Sequence, residues 1–232
     1  MTAQRDPRTR DRILRAAARL LTEAGGEPVS TRAVCTAAGV GAPTLYHHFG
    51  DKRGLFDAVA AHGFEEYLAG KRAQSGTGDP VEDLRRGWDL HIEYAVTHPA
   101  FYTLMYGTPR TPPAAGEAYG ILLGLVEAAA AAGRLRVPVA TAARMIHAAG
   151  VGTALTLIAN PSGGGADRDA AVRTREAVLA AVTSEGDGPA DATPAARAVA
   201  LKSALRSAPP AGLTPSEAAL LGEWLDRLAD QS

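Results

Sequence analysis

The sequence predicts an all-α protein, and three observations support that prediction. Alanine, the best helix former, is abundant, whereas aromatic residues, which strands favour, make up only 5% of the chain. Apolar residues recur at intervals of three and four residues along most of the 232-residue chain. The apolar–polar alternation that marks a half-buried strand does not stand out in any segment. We therefore expect helices packed around a core, which the 46% of apolar residues can fill.

Four helices are expected in the N-terminal third of the chain. Asp6, Ser30 and Asp51 are residue types that cap helix N-termini, and Pro7 suits a first helical turn. Gly39 ends the second of these helices, and a Gly-Gly pair at 25–26 ends the first. The expected helices cover about residues 7–24, 31–38, 42–48 and 51–72.

The rest of the chain is predicted to alternate between helices and breaks. Proline and glycine mark the breaks, at residues 75–80, 98–99, 107–116 and 160–165. The Gly-Gly-Gly run at 163–165 lacks the Lys-Ser or Lys-Thr of a phosphate-binding loop, so we expect an ordinary loop there. A stretch rich in Gly, Asp and Pro at 185–193 is expected to be mobile. Helices, with a short aromatic segment at 101–106, are expected over about residues 81–97, 117–132, 138–159, 167–183, 194–207 and 214–230.

Residues 29–52 carry the pattern of a helix-turn-helix, two short helices separated by a tight turn. Gly39 allows the positive φ of the turn, and Val34, Ala38, Val40 and Leu45 fall where the two helices must pack. In such a motif the second helix enters the major groove of DNA. Residues 1–60 also carry nine Lys or Arg and six Asp or Glu, in a chain of net charge −1. A basic end on an acidic body suits a protein that presents that end to DNA.

The outward positions of the second helix hold side chains suited to DNA. Thr44 can hydrogen-bond a base edge or a phosphate, and its methyl group or that of Ala42 can touch a thymine methyl. The hydroxyl of Tyr46 can reach a phosphate, and His48 is a further candidate for a phosphate contact. Lys52 lies in the first turn of the next helix, whose N–H groups also attract phosphate. Phosphate contacts fix the register of a protein on DNA, and base contacts give specificity.

The N-terminal sequence resembles the TetR family of bacterial transcriptional regulators. The resemblance covers about residues 9–56, through the runs TRDRILRAAARLLTEAG, STRAVCTAAGV and TLYHHFGDKRGLF. The sequence departs from the family at Gly41 and Ala42, where many members carry polar residues, and at Cys35, where alanine is usual. The resemblance implies DNA contacts at Thr31, Arg32, Ala42, Pro43, Thr44, Tyr46, His48 and Lys52.

The resemblance also implies the domain organisation and the regulation. A helix-turn-helix domain would occupy residues 1–56, with a connecting helix at about 51–72, and an all-helical effector-binding and dimerisation domain would occupy 73–232. The expected protein is a homodimeric repressor that binds double-stranded DNA at a palindromic operator and is released by a small hydrophobic effector. The first alternative is an activator, or a regulator of the same fold that needs no ligand. The second is an enzyme built on a helical bundle.

Aromatic residues concentrate between residues 88 and 106, and they are candidates for an effector site. The alternative is ordinary core packing. Residues 81–106, 117–132 and 138–159 are expected to enclose a mostly apolar cavity for a neutral or weakly polar effector that is ring-containing or hydrophobic. The candidate ligand-binding residues are Trp88, His91, Ile92, Tyr94, Tyr102, Met105, Tyr106 and His147.

The helix expected at 138–159 is apolar on nearly every side, so it should be buried on every side. Small residues along it, Gly150 among them, would let another helix backbone approach closely, which suggests a dimer interface. The candidate interface residues are Ala148, Ala149, Gly152 and Leu155. The partner helix within the chain is either the one at 167–183 or the one at 214–230.

Catalytic, metal and cofactor sites have no support in the sequence. Gly-x-Ser-x-Gly, paired Cys-x-x-Cys and His-Glu-x-x-His motifs do not occur, and Cys35 is the single cysteine. Adjacent His47 and His48 point about 100° apart on a helix, so they cannot chelate one metal. We therefore expect no cofactor, no metal site and no enzymatic activity.

The sequence also predicts where the protein resides. The N-terminus is polar and lacks the apolar core of a signal peptide. The apolar stretch at 137–159 contains Arg144 and His147, which favours a buried helix over a membrane span. We expect a cytoplasmic, nucleoid-associated protein with no membrane segment.

Overall fold

The computed structural model describes residues 6–24, 28–73, 76–107, 113–161, 164–184, 193–207 and 212–230. Over these ranges the chain forms helices joined by short connections, together with an isolated antiparallel bridge between Leu135 and Thr183. The predicted all-α fold is confirmed. The helices are α1 (Pro7–Glu23), α2 (Thr31–Ala38), α3 (Ala42–Phe49), α4 (Lys52–Ala73), α5 (Pro80–Thr97), α6 (Pro99–Tyr106), α7 (Pro113–Ala131), α8 (Val139–Ala159), α9 (Gly164–Val182), α10 (Pro194–Ser207) and α11 (Pro215–Ala229).

The N-terminal helices begin where the sequence predicts, because side chains cap them. Asp6 and Ser30 accept hydrogen bonds from backbone N–H groups in the first turns of α1 and α2. The Asp51 Oδ1 accepts one from the Gly54 N–H at 2.7 Å, in the first turn of α4. Each bond satisfies an N–H group that a helix start leaves without an intrahelical partner. The glycine pair expected to end α1 lies outside the described residues.

Two predicted loops are wrong in part. The loop expected at 107–116 gives way to α7 from Pro113, because the fixed φ and missing N–H of proline suit a first helical turn. The loop expected at 160–165 gives way to α9 from Gly164. A glycine costs about 1 kcal/mol relative to alanine in a helix, and the packing of the long helix that follows offsets this cost. Residues 185–192, expected to be mobile, lie outside the described residues.

The chain separates into two compact units. Unit 1 comprises Met1–Ala73 and Glu93–Ala118, and unit 2 comprises Gln74–Ile92 and Tyr119–Ser232. The helices α5 and α7 each contribute residues to both units. The described residues between 93 and 118 therefore belong with the N-terminal helices, although they lie beyond the domain boundary that the sequence suggested near residue 73.

The core of unit 1 joins its first four helices. Ile13 of α1, Val34 of α2, Leu45 of α3 and Leu55 of α4 are completely buried. Full burial of such a side chain stabilises the fold by about 1.5–3 kcal/mol. In addition, α6 packs against both α1 and α4. The position of α4 therefore depends on the helix-turn-helix at its beginning and on α6 further along its length.

The core of unit 2 draws on most of its helices. Trp88, Ile146 and Leu179 lie in one buried cluster, to which α10 adds Val199 and α11 adds Ala229. A short backbone pairing closes this core: the Arg136 N–H donates to the Val182 carbonyl, and the Ser184 N–H donates to the Arg134 carbonyl, each at 2.9 Å. The pairing ties the connection after α7 to the end of α9.

Candidate nucleic-acid interface

The turn between α2 and α3 has the geometry of a helix-turn-helix. Gly39 adopts φ +62° and ψ +42°, the left-handed conformation that glycine enters without steric cost. The Val40 N–H donates to the Cys35 carbonyl at 3.0 Å, which closes the end of α2. Val34 and Leu45 are completely buried where the two helices pack. As a result α3 is held at a fixed angle to α2.

The helix α1 holds this turn in place. The Arg12 Nε donates to the Ala38 carbonyl at 2.9 Å, and the Arg10 guanidinium lies 5.3 Å from the centroid of the Phe49 ring. A hydrogen bond from a charged donor is stronger than one between neutral groups. These two arginines therefore support the motif directly, in addition to any effect of their charge on DNA.

The predicted DNA-contacting side chains come from the start of α2, from α3 and from the start of α4. Thr31 is half-buried, and its Oγ1 lies 3.5 Å from the Tyr46 hydroxyl, which orients the phenol. The Lys52 Nζ lies 5.9 Å from the centroid of the Phe56 ring. The start of α2, α3 itself and the start of α4 thus offer hydroxyl groups and cations, the groups that a phosphate-binding surface requires. The exposed members of the set are Arg32, Ala42, Pro43, Thr44, Tyr46 and Lys52.

His48 is less accessible than the rest of this set. It is half-buried, and its ring lies 5.6 Å from the His47 ring and 6.3 Å from the Phe49 ring between centroids. The neighbouring His47 is the exposed member of the pair. A phosphate contact from His48 would therefore involve only the exposed part of its ring.

A second group of aromatic side chains lies at the other end of α4, within unit 1. We call Phe64, Tyr67, Tyr94, Tyr102 and Tyr106 the tyrosine cluster. Phe64 and Tyr67 have ring centroids 4.4 Å apart, Tyr67 and Tyr94 4.7 Å, and Tyr102 and Tyr106 4.8 Å. Such tilted and edge-on pairs add to the stabilisation from burial alone. The cluster joins α4, α5 and α6.

Lys71 lies beside the tyrosine cluster and is buried, with only 8% of its surface exposed. Its Nζ is 5.1 Å from the centroid of the Tyr67 ring, a cation–π distance. Burial lowers the pKa of Lys71 to about 8. Burial raises the pKa of Tyr106 to about 12 and raises the pKa values of Tyr67 and Tyr102 further. The phenols are therefore neutral at physiological pH.

The other predicted effector residues lie in unit 2. Trp88 and His91 pack against Gly150, where a Cβ atom would be 3.6 Å from each of the two rings. The ring of His147 meets that of Tyr119 edge-on at 5.2 Å, and burial lowers the pKa of His147. The structure therefore divides the predicted set between the units. Tyr94, Tyr102, Met105 and Tyr106 lie in unit 1, and Trp88, His91, Ile92 and His147 lie in unit 2.

Two family models match the chain. The model "Bacterial regulatory proteins, tetR family" matches residues 13–59, and the model "Tetracyclin repressor-like, C-terminal domain" matches residues 84–175. Together they match more than half of the chain, and the first includes every predicted DNA contact. The chain belongs to the TetR family. It is therefore a DNA-binding transcription regulator, and regulators of this family are not enzymes.

Individual members of the TetR family show the same relationship. The chain is 29% identical over 146 residues to the transcriptional repressor NicS of Pseudomonas putida. The matched region covers 58% of this chain and 69% of NicS. It is 36% identical over 95 residues to the transcriptional regulator UidR of Escherichia coli. This match covers 40% of this chain and 45% of UidR, less than half of that protein. A TetR variant from Acinetobacter baumannii AYE, solved in complex with minocycline, shares the fold with a TM-score of 0.57 and 22% identity, over 73% of this chain and 93% of that chain.

In this TetR-family chain, α8 has one buried and one exposed face. Ala142, Ile146, Gly150 and Ala154 are buried, so the expectation that Gly150 lies at a dimer interface is wrong: it faces Trp88 and His91. The expectation that α8 is buried on every side does not hold within a single chain. The predicted interface residues occupy its more accessible positions: Ala148 and Gly152 are exposed, and Ala149 and Leu155 are half-buried.

Among the described helices, α8 is long and apolar enough to cross a membrane by length and composition alone. The core helix of a soluble protein passes the same test. The charged side chain of Arg144 and the membership of Ile146 in the core of unit 2 favour a helix that packs within unit 2 over one that crosses a membrane.

Phe64, Tyr67 and Lys71 are not among the residues predicted from the sequence. These residues occur at spacings of three and four along α4, so they lie on one face of that helix. That spacing was available in the sequence. The burial of Lys71 was not, because a lysine near the end of a helix usually extends into solvent.

Proposed function

We propose that this TetR-family protein is a cytoplasmic, nucleoid-associated transcriptional repressor. In this proposal it binds a palindromic operator as a homodimer, and a small hydrophobic effector releases it. Residues 1–56 bind DNA, a connecting helix covers about 51–72, and residues 73–232 carry effector binding and dimerisation. The observation that carries the proposal is α3, which is anchored by buried Leu45 and presents exposed Thr44 and Tyr46 beside Lys52.

The side chains of the interface have separate roles in the proposal. Ala42, Pro43 and Thr44 lie in the first turn of α3, so they are the residues that reach base edges in the major groove. Tyr46 and Lys52 bind phosphates and fix the register of α3, together with Thr31, Arg32 and the exposed part of His48. Because few side chains in this set can hydrogen-bond bases, methyl contacts contribute to the base preference.

The exposed face of α8 supports the homodimer. Ala148 and Gly152 are small and exposed, and Leu155 is half-buried beside them. A second copy of α8 could approach this face closely, and the contact would bury apolar surface that a single chain leaves in water. Two chains related by a two-fold axis then present two α3 helices to a palindrome.

Similar proteins support an effector. The second family model describes a tetracyclin repressor-like C-terminal domain, and the A. baumannii TetR variant was solved with minocycline bound. The similar protein NicS is described as a transcriptional repressor. An effector that binds better to the form unable to hold the operator would shift the population toward that form.

The proposed DNA recognition is tested by selecting operator sequences from random DNA with the purified full-length chain. We expect an inverted repeat with half-sites roughly one helical turn apart, about 34–36 Å, or somewhat more. A Thr44→Ala protein should relax the base preference at one position of each half-site. Enrichment of single asymmetric sites, or no enrichment, would contradict the proposal. Reporter output from the selected operator then distinguishes repression from activation.

A further inference from the structure

The outer side of α11 carries a stripe of large apolar side chains that lie in water. Leu220, Trp224 and Leu228 follow one another at intervals of four residues, so they share one side of the helix. All three are exposed, and Trp224 leaves 52% of its surface accessible. We call these three residues the α11 stripe. Neighbouring exposed apolar side chains of this size mark a surface that another molecule covers.

The other side of α11 is already packed within unit 2. The helix lies against α10, Leu225 and Ala229 are buried, and Ala229 belongs to the core of unit 2. Glu217 lies near the stripe, but its Oε2 accepts hydrogen bonds from the Thr214 N–H at 2.8 Å and the Thr214 hydroxyl at 2.7 Å. Its carboxylate is thus directed to the start of the helix. The stripe is therefore the side of α11 that is left for a partner.

The spacing of the stripe makes it complementary to a second copy of itself. Leu220 lies four residues before Trp224, and Leu228 lies four residues after it. Two antiparallel α11 helices related by a two-fold axis at Trp224 would place Leu220 of one copy opposite Leu228 of the other. The two Trp224 rings would then lie at the centre of the contact. Such an interface is isologous, because both copies use the same surface.

The charges beside the stripe favour the same arrangement. Arg227 and Glu223 lie along one edge of it, and the Arg227 Nη2 is 3.9 Å from the Glu223 Oε2 within the helix. Their side chains are 74% and 65% exposed, and such an exposed pair contributes little to stability. Between antiparallel helices the order of the two charges is reversed, so each arginine would face the glutamate of the other copy. Opposite charges would therefore meet along this edge.

The charge of α11 also disfavours other classes of partner. Three acidic residues lie along the helix, Glu217, Glu223 and Asp226, and Arg227 is its one basic residue. A helix that binds an anionic membrane or DNA presents several lysines or arginines instead. The stripe therefore fits a protein surface, and its own copy is the one that matches its spacing and its charges.

We propose that α11 is a second self-association surface, which pairs in antiparallel orientation with α11 of another copy. It is separate from the homodimer proposed through α8, and its residues lie beyond the second family-model match, which ends at residue 175. A helix of 15 residues is about 22 Å long, so the contact lies at the low end of the roughly 1,200–2,000 Å² that stable interfaces bury. The pairing is therefore weak and reversible. It joins copies that a high local concentration brings together, as binding to neighbouring DNA sites does.

The two tryptophans allow the pairing to be measured in the full-length protein. Trp88 is buried in the core of unit 2, whereas Trp224 is exposed, so burial of Trp224 in the contact should shift the tryptophan emission to shorter wavelength. We expect this shift as the protein concentration rises through the micromolar range, with larger assemblies appearing in sedimentation velocity over the same range. Leu220→Glu should weaken the association at least roughly tenfold, because the contact would then bury an unpaired charge.

The matched control is Val96→Glu, which places the same charge at an exposed apolar position in unit 1 and should associate like the wild type. Reversal of the charges tests the orientation. Arg227→Glu should weaken the association because like charges would meet, and adding Glu223→Arg to it should restore the association. This pair of variants keeps the test decisive even if Leu220→Glu disturbs the fold.

The α8 interface is distinguished by Gly152→Leu, which should keep the concentration-dependent shift of the Trp224 emission. A shift that is lost in Leu220→Glu and kept in Gly152→Leu assigns the association to α11. A shift that is lost in Gly152→Leu and kept in Leu220→Glu assigns it to α8 and overturns the inference. A wild-type emission that does not change with concentration, or a charge reversal that does not restore the association, would also overturn it.

Discussion

Gly54 lies where the first turn of α4 passes close to the end of α3. A Cβ atom at this position would lie well inside contact distance of the Phe49 carbonyl oxygen, which is backbone and cannot rotate away. Its N–H also donates to the Asp51 cap. We expect Gly54→Ala to lower the free energy of unfolding by about 1–3 kcal/mol, the usual cost of overpacking, and to weaken operator binding because the α3–α4 junction must shift.

Thermal unfolding and anisotropy titration with the selected operator measure the two effects. The matched control is Gly120→Ala on α7, because Gly120 is exposed and a Cβ atom there meets no atom within 4 Å. Alanine there should raise stability by up to about 1 kcal/mol through its helix propensity. A Gly54→Ala protein as stable and tight-binding as the wild type would show that the junction adapts without cost.

Lys71 gives the stability of the protein a characteristic pH dependence. Burial lowers its pKa to about 8 in the folded chain, whereas an unfolded lysine has a pKa of about 10.4. Between these values the unfolded state binds more protons, so stability rises with pH across the window. Linkage gives an increase on the order of 1–2 kcal/mol between pH 7.5 and 9.5. Lys71→Met should remove this increase, as measured by denaturant unfolding at both pH values.

The tyrosine cluster limits the window at high pH. Its Tyr67 ring lies 5.1 Å from the Lys71 Nζ, and Tyr94, Tyr102 and Tyr106 belong to the same cluster. Burial raises the pKa values of Tyr67, Tyr102 and Tyr106, so the folded state keeps those protons longer and stability falls above about pH 10. A wild type and a Lys71→Met protein with identical slopes below pH 9.5 would show that Lys71 keeps an ordinary pKa.

At the scale of single elements, the start of α4 is expected to behave as a phosphate site. Lys52 is exposed, and it lies in a first turn whose N–H groups already favour an anion. Lys52→Ala should weaken binding to all DNA sequences alike and reduce the magnitude of the slope of log K against log salt by about 1. Lys202→Ala, which removes the same charge from unit 2, should leave the slope unchanged. An unchanged slope in Lys52→Ala would contradict its assignment to a phosphate.

Helix boundaries near the N-terminus could be predicted because their signals are local. Asp6, Ser30 and Asp51 cap helices through residues two or three positions away, and Gly39 needs only its own backbone conformation. The starts of α7 and α9 were missed because proline and glycine each suit both a loop and a first helical turn. Packing against the rest of the chain decides between a loop and a helical turn. The local sequence holds no information about that packing.

The predicted effector residues show a different limit of prediction from sequence. Trp88 and Tyr94 are six residues apart on α5, which places them about 120° apart around the helix, and they belong to different units. Their proximity in sequence suggested a single aromatic wall. The tyrosine cluster instead depends on Phe64 and Tyr67, roughly thirty residues earlier in the chain, and only the packing of α4 against α5 and α6 reveals that partnership.

At the scale of the whole molecule, α8 carries the apolar face that the proposed homodimer would bury. Its inner face packs into unit 2 through Ala142, Ile146 and Ala154. Its outer face leaves Met145, with 38% of its surface exposed, beside small residues. In the proposed dimer, contact with a second copy would remove this apolar surface from water, which is favourable. The proposed palindromic operator would require two recognition helices at fixed spacing, so loss of the proposed dimer should reduce operator binding even when each helix-turn-helix is intact.

Gly152 offers a direct test of the dimer. It is exposed on the outer face of α8, and a Cβ atom built on it meets no atom within 4 Å in the described part of the chain. Gly152→Leu should therefore leave the single chain folded, and the better helix propensity of leucine should slightly favour α8. In a dimer the same side chain would separate two closely packed backbones, at a typical cost of about 1–3 kcal/mol. We expect a helical monomer in analytical ultracentrifugation, with operator affinity strongly reduced. Gly120→Leu, at an equally open position on α7, should remain dimeric. A Gly152→Leu protein that stays dimeric and binds the operator tightly would place the interface on another surface.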